Sequence, residues 1–144
     1  MRPLTEGVLV ESDVLVEFLT TRGQTLLHDA LRVVPCFTTV VNAAELLGAA
    51  GNDMEVQNVR AALSGLRVLG LSARYALAMG EAAREARARG AALSVRDAII
   101  VGTAIDARLP VLTRSKAEVF RTVPGVRVVT PEEIAGLAPQ TGKK

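Results

Sequence analysis

Short apolar runs alternate along this chain with segments of helical pattern, and that alternation narrows the fold more than any other feature. Val8 to Val10 reads as a first strand, followed by a helix from about Asp13 to Leu19 and a second over Gln24 to Arg32. Pro35-Cys36-Phe37 predicts a short strand, with helices over Thr39 to Ala50 and Asp53 to Ser64 and Gly65 in place as a C-cap. Arg67 to Leu71 predicts a strand and Ala73 to Arg89 a long helix stopped by Gly90. Val95 to Arg108 follows as a helix, then strands at Val111 to Thr113 and Val126 to Val129, and a short helix at Pro131. Strands separated by helices pair in parallel and are covered on both faces. The expected fold class is therefore α/β, and ligands in such sheets bind outside the carboxyl ends of the strands.

Composition agrees with one such domain. Of the 144 residues, 49% are hydrophobic and only 3% aromatic, which predicts an aliphatic interior. The formal net charge of +2 is compatible with a nucleic-acid partner but does not argue for one. Cys36 is the only cysteine, which excludes a disulfide framework and a cysteine-based zinc site and suits a reducing cytoplasm. The start MRPLTEGVLV has no long apolar stretch and is not read as a signal peptide. The longest uncharged run, Val33 to Ala44, is too short and too polar to span a membrane. Residues 1–138 are taken as the domain, and 139–144 as a flexible polar tail.

Four segments put an acid into an otherwise apolar setting. Glu11 and Asp13 end the first strand, in VLVESDVLVEFL; Ser12 or Asp13 can instead serve there only as a helix N-cap. Glu45, in TTVVNAAELLGAAG, has Val41, Asn42, Gly48 and Ala49 as helical neighbours, with no other charge on that helix. Asp97 closes an S-x-x-D capping box with Ser94, yet it opens the uncharged run Ala98 to Ile105, so it can cap a helix and face a crevice at once. Glu118, in LTRSKAEVF, is by itself an ordinary surface charge. Carboxylates gathered at one pole of a sheet repel, and a hard divalent cation resolves the repulsion. With His28 the only histidine, the expected cofactor is Mg²⁺ or Mn²⁺.

Taken in order, VLVESDVLV, TTVVNAAELL, VRDAIIVGTAI and LPVLTRSKAEVFRTVPGVRVV resemble the successive motifs of PIN-domain proteins, in particular the VapC-like ribonuclease toxins of toxin–antitoxin pairs. The resemblance covers Val8 to Val129. It implies a three-layer α/β/α, Rossmann-like PIN domain with a central parallel sheet of four to five strands. It also implies a Mg²⁺- or Mn²⁺-dependent endoribonuclease and a cognate small antitoxin; the apolar segments Leu46 to Ala50 and Val56 to Leu63 offer a groove for a homodimer or the antitoxin, though core packing accounts for them equally well. On the nuclease reading Glu11, Glu45 and Asp97 hold the metal and Glu118 assists. Ser12, Asp13, Asn42, Thr113 and Ser115 support the site, with Thr113 placed to hydrogen-bond Glu11. Arg96 and Arg114 either contact substrate phosphates or pair with the carboxylates.

Two departures stand out. Glu11 replaces the family's usual first aspartate, and the last motif has Ser115 and Glu118 where T-R-N-x-x-D-F is common, with Phe120 displaced by one residue. They motivate an alternative, a catalytically impaired PIN-like module that binds RNA or a protein without turnover. A phosphatase with a strand-one aspartyl nucleophile is disfavoured, because Glu11 stands at the required position. The arginines of EAAREARARG read first as a solvated face with a Glu85–Arg89 pair, ahead of an RNA track.

Overall fold

Five parallel strands in the order β3-β2-β1-β4-β5 form the centre of the molecule in a computed structural model that describes residues 3–137. The strands are β1 (Val8–Val10), β2 (Cys36–Thr39), β3 (Arg67–Leu69), β4 (Val111–Leu112) and β5 (Val128–Val129). The helices are α1 (Ser12–Thr20), α2 (Leu26–Val33), α3 (Val40–Ala49), α4 (Asp53–Ser64), α5 (Ala76–Ala88), α6 (Val95–Ala107), α7 (Ala117–Arg121) and α8 (Pro131–Leu137). The expected tail at 139–144 lies outside the described residues.

Successive residues of a strand point to opposite faces, and here each face meets its own core. Val8, Val10, Leu112 and Val129 pack with Val14, Leu15, Leu27 and Ile134 from α1, α2 and α8. Leu9 and Val111 point the other way, onto Ile100, Val101 and Ala104 of α6 and Phe120 of α7. Val8, Leu9 and Val10 are all fully buried, which is why this strand reads as an unbroken apolar run. The result is the expected three-layer α/β/α arrangement. Gly7, just before β1, has φ of 132°, and a Cβ there would lie 2.6 Å from the Phe37 ring, so only glycine lets the chain enter the central strand at this point.

The sheet runs outward from β1 in both directions, with β2 and then β3 on one side and β4 and then β5 on the other. That reversal puts a crevice at the carboxyl ends of β1 and β4, where Glu11 and Thr113 stand.

Several boundaries differ from expectation. The segment 73–89 begins as a 3-10 turn (Ala73–Tyr75), and its α-helix ends at Ala88, leaving Arg89 as the C-cap. Glu85 and Arg89 accordingly form no ion pair among the described residues. β3 stops at Leu69, ahead of Gly70, a residue poor in strand propensity. α7, absent from the sequence reading, is a five-residue turn held by the fully buried Phe120. His28 is structural: its Nδ1 accepts from the Thr25 N–H at 3.1 Å and closes the cap of α2.

Candidate acidic site

Each acid of the candidate site reaches the crevice because of a local feature of the chain. Glu11 itself is the N-cap of α1, with Oε1 accepting from the Ser12 N–H at 2.9 Å, so neither Ser12 nor Asp13 has that role. Only 1% exposed, Glu11 sits at the positive end of a helix, which offsets part of the cost of burying it. Thr39 caps α3 by accepting from the Asn42 N–H at 3.1 Å, and this sets the rotation of the first turn. Asn42 then donates to the Val10 carbonyl at 3.3 Å and to Thr38 Oγ1 at 3.1 Å, tying α3 to the end of β1. Glu45 follows three residues later on the same face. Ser94 caps α6 by accepting from the Asp97 N–H at 3.0 Å, leaving the Asp97 carboxylate free to turn inward, where it is buried. Of the two roles read for Asp97, the crevice-facing one is displayed; the cap is made by Ser94, and the Asp97 carboxylate does not close a capping box on the Ser94 N–H.

The three carboxylates meet, and they meet on Arg96. Its Nη1 donates to Glu11 Oε2 at 3.0 Å and to Asp97 Oδ1 at 3.2 Å. Its Nη2 donates to Glu11 Oε1 at 3.2 Å, Ser12 Oγ at 2.9 Å and Asn42 Oδ1 at 2.8 Å, and its Nε to Glu45 Oε2 at 2.8 Å. Glu11 is thus gripped by a two-pronged fork, the strongest geometry for this pair of groups. Lys116 Nζ takes both oxygens of Asp97, at 3.1 and 3.2 Å. Burial alone pushes the Arg96 pKa down, but the bonds to Glu45 and Glu11 and their charges outweigh it and raise it above the ordinary arginine value. Of the two roles open to Arg96 in the sequence, the structure displays the pairing with carboxylates.

The remaining candidates lie apart from this cluster. Thr113 does not bond Glu11: its hydroxyl donates to Asp13 Oδ2 at 2.9 Å. The same oxygen accepts from the N–H groups of Arg114 and Ser115 and from Ser115 Oγ, at 2.8–2.9 Å. Asp13 is therefore a clasp that holds the loop after β4 against α1. Arg114 pairs with Glu17 of α1 at 3.0 Å and is half exposed. Glu118 is exposed on α7 and makes no hydrogen bond or ion pair with Glu11, Glu45 or Asp97. Lys116 escaped the sequence reading. A lysine after a strand carries no local mark of being turned inward; only the clasp on the preceding loop aims it at Asp97.

Burial pushes the Asp13 pKa up, but the Ser115 N–H, the hydroxyls of Thr113 and Ser115 and the Arg114 N–H more than cancel this and lower it below 3.8. A carboxyl whose folded value lies below its unfolded one stabilises the fold fully above the unfolded value. That contribution fades as pH falls through the folded value. Asp13→Asn is expected to flatten the loss of stability below about pH 4 relative to the unsubstituted chain, measured by urea unfolding across that range. Parallel acid limbs in the two proteins would remove the clasp from the account.

The donors of the pocket are hard carboxylate oxygens, the class that Mg²⁺ and Mn²⁺ prefer. Their arrangement nevertheless does not fit a divalent ion. No group of three or more acidic, histidine or cysteine side chains among the described residues stands in a metal-holding arrangement, because the oxygens converge on a guanidinium. Cys36 offers no alternative ligand, since burial pushes its thiol up to about 12. None of the helices among the described residues is long and apolar enough to cross a membrane.

Comparison with known proteins adds a family to this geometry. The family model described as "PIN domain" matches residues 8–125. No curated protein sequence matches the chain. A toxin–antitoxin complex from Klebsiella pneumoniae has a chain 27% identical to this one at a TM-score of 0.63, covering 86% of this chain and 97% of its own. VapBC2 from Rickettsia felis, bound to a DNA fragment from its promoter, is similar at 18% identity and a TM-score of 0.72, covering 86% and 98%. VapBC-1 from nontypeable Haemophilus influenzae is similar at 13% identity and a TM-score of 0.72, covering 88% and 98%. At such low identity the last two speak for the fold alone.

Proposed function

Since this chain belongs to the PIN-domain family, we propose that it is an endoribonuclease, the toxin of a VapBC-type toxin–antitoxin pair. One observation carries the reading. Glu11 from the end of β1, Glu45 from α3 and Asp97 from α6 converge at the switch point of a parallel sheet, within hydrogen-bonding distance of a single cation. Two of these carboxylates, Glu11 and Asp97, are buried, and such buried charges are costly to keep. A solvated salt-bridge surface has no need of them.

PIN domains are in general nucleases that use divalent ions, and Mg²⁺ or Mn²⁺ belongs to this proposal. Arg96 and Lys116 occupy the carboxylates that such an ion would use. The pocket's own groups do three things. Glu11, Glu45 and Asp97 concentrate negative charge at one point. Asn42 and Ser12 fix the geometry around them. The Asp13 clasp sets the loop that bears Lys116. The partners in the proposal are RNA as substrate, a cognate small antitoxin and a second copy of the chain. The likeness to the Klebsiella pneumoniae complex supports the antitoxin. An apolar cleft of about 250 Å³ between α1, α3 and α4, lined by Val16, Leu19, Leu46 and Val59, is where we place it.

The test is RNA cleavage by the purified chain with Mn²⁺ or Mg²⁺, and again with a chelator. Cleavage is expected with the ion and absent without it, lost in Glu11→Ala and kept in Glu11→Asp. A second reading, a PIN-like module that binds without turnover, is favoured by the two cations seated on the acids. Binding of RNA with no cleavage under any of these conditions would establish it instead.

A further inference from the structure

Every N–H group of the Arg96 guanidinium is directed at a side chain of the pocket: two glutamates, one aspartate, a serine and an asparagine. None of these six bonds goes to a backbone atom, so the guanidinium can leave without opening any helix or strand. The side chain is 24% exposed and springs from the first turn of α6, at the mouth of the crevice, so its way out leads directly to water. Glu45, which holds its Nε, is itself 45% exposed and can follow it. The carboxylate oxygens that grip Arg96 are the same ones that the nuclease reading gives to a divalent ion. A guanidinium and a dication cannot occupy them together, because both need the same lone pairs at close range and repel each other.

We propose that Arg96 is a displaceable resident cation of the acidic pocket, which competes with Mg²⁺ or Mn²⁺ for Glu11, Glu45 and Asp97. In the metal-free protein it neutralises the acids and preserves their positions; a divalent ion enters when it swings out. Arginine suits this role better than lysine, since its planar fork spans carboxylates from three elements where an ammonium is a single point of charge. The guanidinium stays charged at every accessible pH, so only displacement clears the pocket, not loss of a proton. The inference rests on the nuclease reading above, because it concerns the ion that reading requires.

The experiment measures Mn²⁺ binding to the full chain by calorimetry and by electron paramagnetic resonance of the free ion, with no RNA present. Arg96→Gln is expected to bind Mn²⁺ about tenfold more tightly than the unsubstituted chain, the scale typical of coupling between two ligands. Lys116→Gln removes the same charge from one carboxylate only and should gain less. Arg96→Lys keeps the charge and loses the fork, so it should bind more tightly than the unsubstituted chain, and it carries the test should Arg96→Gln fail to fold. Equal affinity in the unsubstituted chain and the Arg96 variants overturns the competition while leaving a metal-binding nuclease intact. An equal gain in Arg96→Gln and Lys116→Gln also overturns it, since the effect would then be one of charge alone. No Mn²⁺ binding by any of the proteins overturns the metal dependence of the proposed function and this inference with it.

Discussion

Asp97→Asn is expected to reduce RNA cleavage by roughly a hundredfold or more while the protein still folds, because even groups that only support a metal's ligands cost about 10–100-fold when removed. The retained fold follows from the charges in the pocket. Glu11, Glu45 and Asp97 carry three negative charges against the two positive charges of Arg96 and Lys116. Removing one carboxylate balances the cluster. The Asp97 N–H still reaches Ser94 Oγ, because that bond uses the backbone and survives the substitution. Cleavage of a labelled RNA, read beside a circular-dichroism melt of the same preparation, checks both halves. Undiminished cleavage in a folded Asp97→Asn protein would move the reaction away from these acids altogether.

The opposite change has the opposite cost. Arg96→Gln leaves three carboxylates facing one lysine, and two of them, Glu11 and Asp97, are 1% and 2% exposed. Removing one partner of a buried ion pair strands the other charge and costs about 3–5 kcal/mol. Glu45 adds little to that sum because it is 45% exposed and water can solvate it. The lower end, about 3 kcal/mol, is therefore expected, which for a chain of this size lowers the Tm by roughly 6–12 °C. Urea unfolding of the metal-free proteins measures it. A loss below about 0.5 kcal/mol, the range of an ordinary surface substitution, would mean that water reaches the acids and that Arg96 is not their counter-ion.

The two predictions share a reason that also explains how far the site was legible. Glu11, Glu45 and Asp97 each broke an apolar pattern, and a charge inside such a pattern demands a partner whatever the fold. That demand is visible in sequence, and so is its approximate place, because a parallel sheet gathers strand ends at one pole. The partner is not visible. Arg96 stands beside Asp97 in the chain, and in the first turn of a helix it is as well suited to solvent or to a phosphate as to an acid pocket. Glu118 illustrates the converse error. Its position in the last motif suggested a fourth acid, but α7 is anchored by Phe120, and that anchoring leaves Glu118 on the exposed face. Asp13 is the acid that the last motif does engage, as a clasp on the loop that Ser115 belongs to and apart from the other three.

The α/β class, the parallel pairing, most helix spans and the three acids follow from hydrophobic period, capping residues and the cost of a charge among apolar neighbours. Those are local properties, carried by residues within a turn or two of one another. Packing between separate elements sets which cation the acids hold, that Thr113 and Ser115 serve Asp13 instead of Glu11, and that Lys116 turns inward. Apart from the bond between the chain neighbours Arg96 and Asp97, those outcomes join residues 19 to 102 positions apart, and they depend on how the ends of β1 and β4 and the first turns of α1, α3 and α6 are brought to one point.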